Sequence, residues 1–386
     1  MERIYLDYSA TTPMDERVFQ AMQPYFSEIF GNPSSIHREG QQARNAVEEA
    51  RSTMAKFLQV RESEIFFTGS GTEADNLALQ GVLRAIGKSE AHIITTRVEH
   101  KAVLETCHFL EKAGYRVTYL PVNEYGQVDP REVRQALTPQ TILVSIIHGN
   151  NEVGTLNPLA EIGQITREAG VLFHTDAVQT FGKLPIHPEE LGVDLLSASA
   201  HKIYGPKGVG LLYIRRGVPF SPVLFGGGQE RNRRPGTENV PGIVGFARAV
   251  ELCSAGMKQE REQMENLRQY FLDRLYQHIP DIQLNGHPEE RLPHVLNLSF
   301  RDCHSDTLLL NLDMAGIAAS GGSACSSGTI RESHVLKAMG IPKWRIRSAI
   351  RFSLGRNTTR EAIDRTVTVL QEIVQRIRKL NGKNGT

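Results

Sequence analysis

The chain has 386 residues, of which 40% are hydrophobic and 23% charged, and its formal net charge at pH 7 is +1. This balance excludes a chain that is disordered throughout, because such chains lack apolar residues and carry strong net charge. It also provides no bulk charge that would recruit nucleic acid or an anionic membrane surface. The length predicts two or three domains, with a core large enough to need no disulfide or metal staple.

Short β-branched runs alternate with helical patterns between about residue 60 and residue 215, which is typical of an α/β fold with a mostly parallel sheet. The predicted strands cover 64–68, 92–96, 116–120, 141–147, 171–176, 194–199 and 208–214. The predicted helices cover 73–87, 100–113, 130–137 and 158–169. In such sheets ligands bind at the carboxyl ends of the strands, where the polar motifs of this chain fall.

The sequence changes character after about residue 255. Residues 257–279 form a charged amphipathic helical pattern, followed by strand patterns at 294–300 and 349–355 and a last helix near 359–380. These elements predict a smaller α+β domain, and we expect the N-terminal arm to pack near it or near the site. The amino end has no apolar stretch of the signal-peptide kind, which leads us to expect a cytoplasmic protein with reduced cysteines.

A glycine-rich turn links the first of these strands to a helix, in the sequence FTGSGTEADNLAL at residues 67–79. Glycines let backbone amides converge on one point, and the first turn of a helix adds partial positive charge. The segment therefore predicts a site for a phosphate-sized anion at Gly71 and Thr72. For this segment alone, an ordinary strand–helix turn with a threonine cap is an equal alternative.

Two further motifs follow later strands, HTDAVQ at 174–179 and SASAHKIYGPKG at 197–208. A carboxylate at a strand end, here Asp176, can hold a protonated ring nitrogen or, equally, cap a helix. A desolvated lysine, here Lys202, can form a Schiff base, whereas an isolated loop lysine is usually solvated. A phosphate cradle, a carboxylate and a Schiff-base lysine are together the three fixtures that pyridoxal 5'-phosphate requires.

A set of motifs along the whole chain points to one family. These are YLDYSATTP (5–13), FGNPSS (30–35), TEADN (72–76), EHKAVL (99–104), HGNNEVG (148–154), DAVQ (176–179), AHKIYGPKG (200–208), GGGQE (226–230), RPGTEN (234–239), SGGSACSSG (320–328) and RFSLG (351–355). With them the chain resembles the cysteine desulfurases of the NifS/IscS type, which are class-V aminotransferase-like enzymes that depend on pyridoxal phosphate.

The resemblance implies a fold-type I architecture with two domains. The large domain, 16–256, would contain a mixed, mostly parallel seven-stranded sheet flanked by helices. The smaller α+β domain would consist of residues 1–15 and 257–386 and would include a catalytic-cysteine loop at about 320–332. The sequence of that loop is similar to the long-loop group of the family.

The resemblance also implies a role for each matching residue of the cofactor site. Lys202 would carry the cofactor covalently, Asp176 would keep its pyridine nitrogen protonated, and Gln179 would bind its phenolic oxygen. His100 would stack on the ring and assist proton transfer. The residues implied to bind the phosphate are Gly71, Thr72, Ser199 and His201, together with Thr237 from the other subunit of a homodimer.

The substrate end of the site is assigned to three residues. Asn151, which is also a candidate cofactor contact, and Arg351 would hold the carboxylate of L-cysteine, since a planar guanidinium suits a bidentate clamp. Cys325 lies in a run of small residues and glycine, where from the residues alone an incidental exposed thiol is an equal interpretation. The resemblance implies that its thiolate attacks the substrate sulfur, leaving L-alanine and a persulfide.

The expected partner is a protein that accepts this sulfur. Long-loop members supply an iron–sulfur scaffold protein and, in some cases, tRNA thiolation or other thio-cofactors, so we expect no direct nucleic-acid or membrane partner. No metal site is predicted, apart from a transient iron–sulfur contact through a persulfide on Cys325. The other cysteines are predicted to have no catalytic role: Cys107, Cys253 and Cys303.

Two rival interpretations remain open at this point. A pyridoxal-phosphate C–S lyase acting on cysteine or cystine, or a selenocysteine lyase, would keep Lys202 and Asp176 but would not need Cys325. A non-catalytic relative that serves as a binding partner or sulfur carrier would be expected to lack Lys202 or Arg351, and both are present.

Overall fold

The computed structural model describes residues 3–88, 90–321 and 332–383. The strands within these residues are β1 (Ile4–Tyr5), β2 (Ile65–Thr68), β3 (His92–Thr96), β4 (Arg116–Leu120), β5 (Thr141–Ser145), β6 (Leu172–Asp176), β7 (Leu195–Ser199), β8 (Gly210–Ile214), β9 (Ile282–Asn285), β10 (Val295–Phe300), β11 (Ile317–Ala318) and β12 (Ala349–Ser353). The helices are α1 (Glu16–Met22), α2 (Pro24–Ser27), α3 (Arg38–Leu58), α4 (Gly71–Ile86), α5 (Lys101–Lys112), α6 (Pro130–Ala136), α7 (Leu159–Glu168), α8 (Pro188–Leu191), α9 (Gln229–Asn232), α10 (Val240–His278), α11 (Ser305–Met314), α12 (His334–Ala338), α13 (Lys343–Ser348) and α14 (Arg360–Lys383).

Seven strands form one mixed sheet in the order β2–β8–β7–β6–β5–β3–β4. Strand β8 runs antiparallel to both of its neighbours, and the other neighbouring pairs are parallel. Every residue of β2, β3, β5, β7 and β8 is buried, as expected for apolar strands covered on both faces. The predicted mostly parallel seven-stranded sheet is therefore confirmed, and the predicted strand ends differ from the observed ones by at most two residues.

Helices cover the sheet on both faces because successive strand side chains point in opposite directions. Phe67 belongs to the core that α3 and the first half of α10 share with the sheet. Its neighbour Phe66 belongs to the opposite core, which contains residues of α4 and α5. The sequence patterns did not predict α3, whose buried positions include several alanines that give little hydrophobic contrast.

A second core surrounds a three-stranded antiparallel sheet in the order β12–β10–β9, with α11 and α14 packed on it. Helix α10 connects the two cores: Phe246 in its first half packs in the first, and Phe271 in its second half packs against Phe352 of β12, with ring centroids 5.2 Å apart. The predicted helix at 257–279 is the second half of α10. The domain bounds at 256 and 257 thus fall inside a continuous helix and stay a prediction.

By length and composition alone, α10 contains a window that is apolar enough to cross a membrane. Half of that window is buried inside the protein, which is the behaviour of a core helix. Among the described residues this is the one helix that meets the criterion.

The N-terminal arm reaches the second core before it passes the site. Strand β1 pairs in parallel with β11, and Asp7 forms a bridge with Ser353 at the end of β12. Further along, Thr12 donates its backbone N–H to the carbonyl of His201. The arm therefore packs against the small sheet and also beside the predicted lysine.

Candidate active site

A cavity of about 350 Å³ lies at the carboxyl ends of the parallel strands. The strand order reverses there, because the chain continues from β3 to β4 on one side and from β5 to β6 and β7 on the other, which is where ligands bind in open α/β sheets. The predicted residues that line this cavity are Gly71, Thr72, His100, Asn151, Asp176, Gln179, Ser199, His201, Lys202 and Arg351. The structure does not bring Thr237 to it, and Cys325 lies outside the described residues.

The cradle at the start of α4 depends on glycine and on a side-chain cap. Ser70 is the N-cap, and its Oγ accepts the backbone N–H of Glu73 at 3.1 Å. A Cβ atom on Gly71 would lie only 2.7 Å from Cγ2 of Val178, so only glycine lets this helix approach the end of β6. The first turn of a helix has N–H groups without intrahelical acceptors, so the cavity has a wall suited to a phosphate.

Asp176 is the last residue of β6 and is almost completely buried. Its Oδ1 accepts the backbone N–H of Val178 at 2.9 Å, which fixes the carboxyl group beside the cavity. Burial raises the pKa of Asp176, whereas the charges of His100 and Lys202 and the hydrogen bond from Val178 oppose that shift. A cationic ring nitrogen bound next to Asp176 would favour its ionised form in the same way.

His100 is the N-cap of α5, so its ring is anchored by the helix. Its Nδ1 accepts the backbone N–H of Ala102 at 3.2 Å. Because that nitrogen is the acceptor, the neutral ring carries its proton on Nε2. The imidazole therefore has one fixed tautomer beside Asp176.

Lys202 follows β7 in a short 3-10 turn, Ala200–Lys202, and its Nζ reaches the N-terminal arm. Nζ donates to the carbonyl oxygens of Ser9 at 2.6 Å and Ala10 at 2.8 Å. His201 contacts the same arm through Thr11, with 3.1 Å between Nδ1 and Oγ1. Burial, reinforced by the charge of Lys202, lowers the pKa of His201 to about 4, so at neutral pH this ring approaches a bound phosphate uncharged.

Arg351, on β12, is almost fully buried at the opposite side of the cavity. Its Nη2 forms an ion pair with Oδ1 of Asp7 at 2.7 Å, and its Nη1 donates to the carbonyl of Asn151 at 2.8 Å. Its Nε has no hydrogen-bond partner among the described residues. The guanidinium is thus held in place by the N-terminal arm and still has a buried N–H available for a carboxylate.

Three residues that line this cavity have a buried polar atom without a hydrogen-bond partner among the described residues. These atoms are Oδ1 of Asp75, Oε1 of Gln179 and Nε of Arg351. Such atoms cost free energy when left unpaired, so a polar ligand that pairs with them would be stabilised in this cavity. Donors at the cradle, a carboxylate at Asp176 and an amine at Lys202 match the phosphate, ring nitrogen and aldehyde of pyridoxal 5'-phosphate.

The cavity is also lined by residues that the sequence patterns did not indicate, among them Asp75, Glu152 and His334. Asp75 lies within the motif TEADN, one helical turn beyond Gly71, and that spacing of four could have identified it. His334 lies between two acidic residues, with Nε2 2.9 Å from the carbonyl of Glu99 and Nδ1 3.9 Å from Oε1 of Glu152. No local pattern indicates that second contact, because it joins distant segments.

Thr237 is exposed, and the loop before it is anchored to α3 and β2 of its own protomer. Glu230 and Arg231 have φ values of 45° and 56°, in the left-handed region that non-glycine residues rarely adopt. A buried bidentate ion pair, 2.9 Å at both contacts, holds Glu230 to Arg51, and Glu230 also accepts the N–H of Phe67 on β2. The loop therefore presents Thr237 outward from a defined base.

The aminotransferase class-V family model matches residues 4–366 of this chain. Cysteine desulfurase IscS of Dictyoglomus turgidum is 50% identical over 98% of this chain and 96% of its own length. Putative cysteine desulfurase IscS 1 of Bacillus subtilis is also 50% identical, over 98% of this chain and all of its own. A solved NifS-like protein superposes with a TM-score of 0.91 at 42% identity, covering 97% of this chain and 99% of the other.

Proposed function

This chain belongs to the class-V aminotransferase family, and from that membership we propose that it is a pyridoxal-phosphate-dependent cysteine desulfurase that releases L-alanine and keeps the sulfur as a persulfide on Cys325. The observation that carries the proposal is the meeting of Lys202, Asp176 and Arg351 in one cavity. The amine and the acid are the groups that this cofactor requires, and the guanidinium can hold the carboxylate of an amino-acid substrate.

When bound, the cofactor supplies an electron sink for the charge that develops at the substrate α-carbon. The cradle at Gly71 and Thr72, with Ser199 and His201, would hold its phosphate. Asp176 would accept a hydrogen bond from the ring nitrogen and keep it protonated, because a buried carboxylate is best stabilised by an adjacent cation.

The substrate carboxylate would bind between Arg351 and Asn151. Arg351 is already oriented by Asp7, so the clamp needs little rearrangement when the substrate arrives. The Nε–H of Arg351, which has no hydrogen-bond partner among the described residues, would be one of its donors to that carboxylate.

Proton transfer at the α-carbon falls to the two basic groups beside Asp176. The amine of Lys202, once it leaves the carbonyls of Ser9 and Ala10, can take up the α-proton, and His100 can deliver one from Nε2. Either group would later return a proton to the α-carbon. The β-carbon would gain a second proton, equivalent to the one that the Cys325 thiol gives up, and would become the methyl group of alanine.

The sulfur step would be a nucleophilic displacement. The thiolate of Cys325 forms a bond to the substrate sulfur, and the electron pair of the breaking carbon–sulfur bond moves to the β-carbon. The products are alanine and a Cys325 persulfide, so the step needs no external oxidant or reductant. Selenocysteine or C–S lyase activity on the same scaffold would release the sulfur or selenium without this protein-bound product.

A Cys325→Ser substitution tests the assignment directly. We expect the variant to bind cofactor and cysteine but to retain no protein-bound sulfur after incubation with ³⁵S-labelled cysteine and gel filtration. Cys303→Ser, which changes a buried cysteine of the second core that does not line the cavity, serves as the matched control and should retain the label. Sulfur that stays on the Cys325→Ser protein would refute the nucleophile assignment, and turnover without any protein-bound sulfur in the unsubstituted enzyme would favour a lyase.

We also propose that the enzyme is a cytoplasmic homodimer that passes sulfur to an iron–sulfur scaffold or another acceptor protein. Apolar side chains that are largely exposed support a second copy as partner: Phe30 (69%), Ile36 (88%) and Phe225 (83%). Phe225 adjoins the loop that presents Thr237, which would then reach the phosphate in the other subunit. Sedimentation velocity at micromolar concentration should give about twice the mass of 43.0 kDa, and a monomer would contradict the shared site.

A further inference from the structure

Asp75 is a second buried acid in the cofactor cavity, and the proposed desulfurase reaction requires only the first, Asp176. Its carboxyl group is 1% exposed and lines the cavity beside Asp176. One carboxylate oxygen of Asp75, one of Asp176 and one imidazole nitrogen of His100 all lie within 4.8 Å of one another. Oδ1 of Asp75 has no hydrogen-bond partner among the described residues, so part of the group is unpaired although it is buried.

A row of buried polar side chains leads to Asp75 from behind the cavity. Oγ of Ser197 lies 3.0 Å from Nε2 of His174, and Nδ1 of His174 lies 2.8 Å from Oγ of Ser145. Hydrogen bonding from Ser197 lowers the pKa of Asp75, against the larger effect of burial. Burial lowers the pKa of His174 to about 3, so this ring is neutral and carries one proton.

The titratable groups around Asp75 are the acids Asp176 and Glu99, both of which raise its pKa, and His100 and Lys202, which line the same cavity. His174 Nε2 lies 3.6 Å from Oδ1 of Asp75, beyond hydrogen-bond distance, and is uncharged. Two carboxylates this close in a buried site cannot both be ionised without a large repulsion. Burial and the charge of Asp176 accordingly raise the pKa of Asp75 well above its usual range.

We propose that Asp75 is a positioning residue that shares one proton with Asp176, so that the pair presents a single negative charge to the ring nitrogen of the cofactor. In the unsubstituted enzyme Asp176 carries the charge and Asp75 carries the proton. If Asp176 cannot ionise, Asp75 is the acid that remains beside the ring nitrogen and can carry the negative charge in its place. The inference rests on the proposed cofactor site but not on Cys325 or on the dimer.

The test is a double-mutant cycle on cofactor affinity, measured by adding pyridoxal 5'-phosphate to the cofactor-free protein. Asp75→Asn alone should change Kd by less than about threefold, because the asparagine replaces a neutral acid of the same shape. In the Asp176→Asn background the same change should weaken binding by about tenfold or more, because it removes the last acid next to the ring. Equal effects of Asp75→Asn in both backgrounds would overturn the proposal.

A second measurement does not depend on the variants folding. Carboxyl-¹³C aspartate labelling and NMR of the unsubstituted, cofactor-free protein should show one buried aspartate that is still protonated at neutral pH, and a spectrum without such a signal overturns the proposal. Asp194→Asn is the matched control, since Asp194 is a buried acid at the start of β7, the strand end remote from the cavity. It should leave both the NMR signal and the coupling between Asp75 and Asp176 unchanged.

Discussion

The two sides of the cavity are built in different ways. The cofactor wall comes from one sheet and the helix and turn that directly follow two of its strands, and it consists of Asp75, Asp176, Ser199 and Lys202. The substrate wall is assembled from the loop after β5, the start of α12 and the small sheet, which supply Asn151, His334 and Arg351. The N-terminal arm supports it from behind through the ion pair of Asp7 with Arg351.

This difference explains what each wall can do. The cofactor wall inherits its geometry from strand ends that are hydrogen-bonded to one another, so it can hold a ring rigidly. The substrate wall depends on contacts such as that between Asp7 and Arg351, which are 344 residues apart. A fixed cofactor and a separately supported clamp let the protein change substrate contacts without disturbing the cofactor.

The largest loss of activity is expected from a substitution in the cofactor wall. Lys202→Ala should lower desulfurase activity by about a thousandfold or more and abolish covalent attachment of the cofactor, because it removes the amine that would form the Schiff base. The measurement is retention of cofactor absorbance after borohydride reduction and denaturing gel filtration. Lys183→Ala is the matched control: this lysine donates to the carbonyl of Gln179 and has a pKa lowered to about 7 by burial, yet it should not hold the cofactor.

A smaller effect is expected when the substrate wall is changed. Arg351→Lys should raise KM for cysteine about 10- to 100-fold, since a lysine cannot make a bidentate contact and hydrogen bonds to charged groups contribute about 1.5–3 kcal/mol each. The Kd for cofactor should stay within about twofold if the two walls are independent. Asp7→Asn, which weakens the orientation of Arg351 without removing it, should change KM by less than tenfold. A parallel loss of cofactor affinity in either variant would show that the walls are coupled.

The smallest effect concerns stability and pH, at a residue next to the cofactor wall. Burial raises the pKa of Glu99 to about 8, so the folded protein keeps this proton at pH values where the unfolded chain has lost it. The unfolded state therefore binds fewer protons between about pH 4.5 and 8, and the contribution of Glu99 to stability falls as pH rises through that range. Glu99→Gln should gain stability relative to the unsubstituted protein from about pH 5 to 8. Parallel melting temperatures over this range would contradict the expectation.

Much of the cofactor wall could be predicted from the sequence because its signals are local. Apolar runs such as 171–176 and 194–199 fix both the strand and the residue at its end, so Asp176 and Ser199 were placed correctly at the carboxyl edge of the sheet. Asp75 was missed because its motif was interpreted as a phosphate cradle alone. Its importance depends on Asp176, which is brought near it by the fold.

The substrate wall could be predicted only through the family resemblance. Strands β1 and β11 have two residues each, too short for a periodic pattern, and their pairing joins opposite ends of the chain. The ion pair between Asp7 and Arg351 also joins opposite ends of the chain, so no local pattern predicts it. The role of Cys325 stays a prediction, since that residue lies outside the described part of the chain.

The pairing of β1 with β11 has a consequence for biosynthesis. A ribosome makes the N-terminal arm first, yet its partner strand and Arg351 emerge only when most of the chain is complete. Because large proteins fold in units as they are translated, the sheet that carries Asp176 and Lys202 can form while the arm still waits for its partner. A nascent chain would thus be able to capture its coenzyme before it can recognise cysteine, and the reactive machinery would be switched on only at the end of translation.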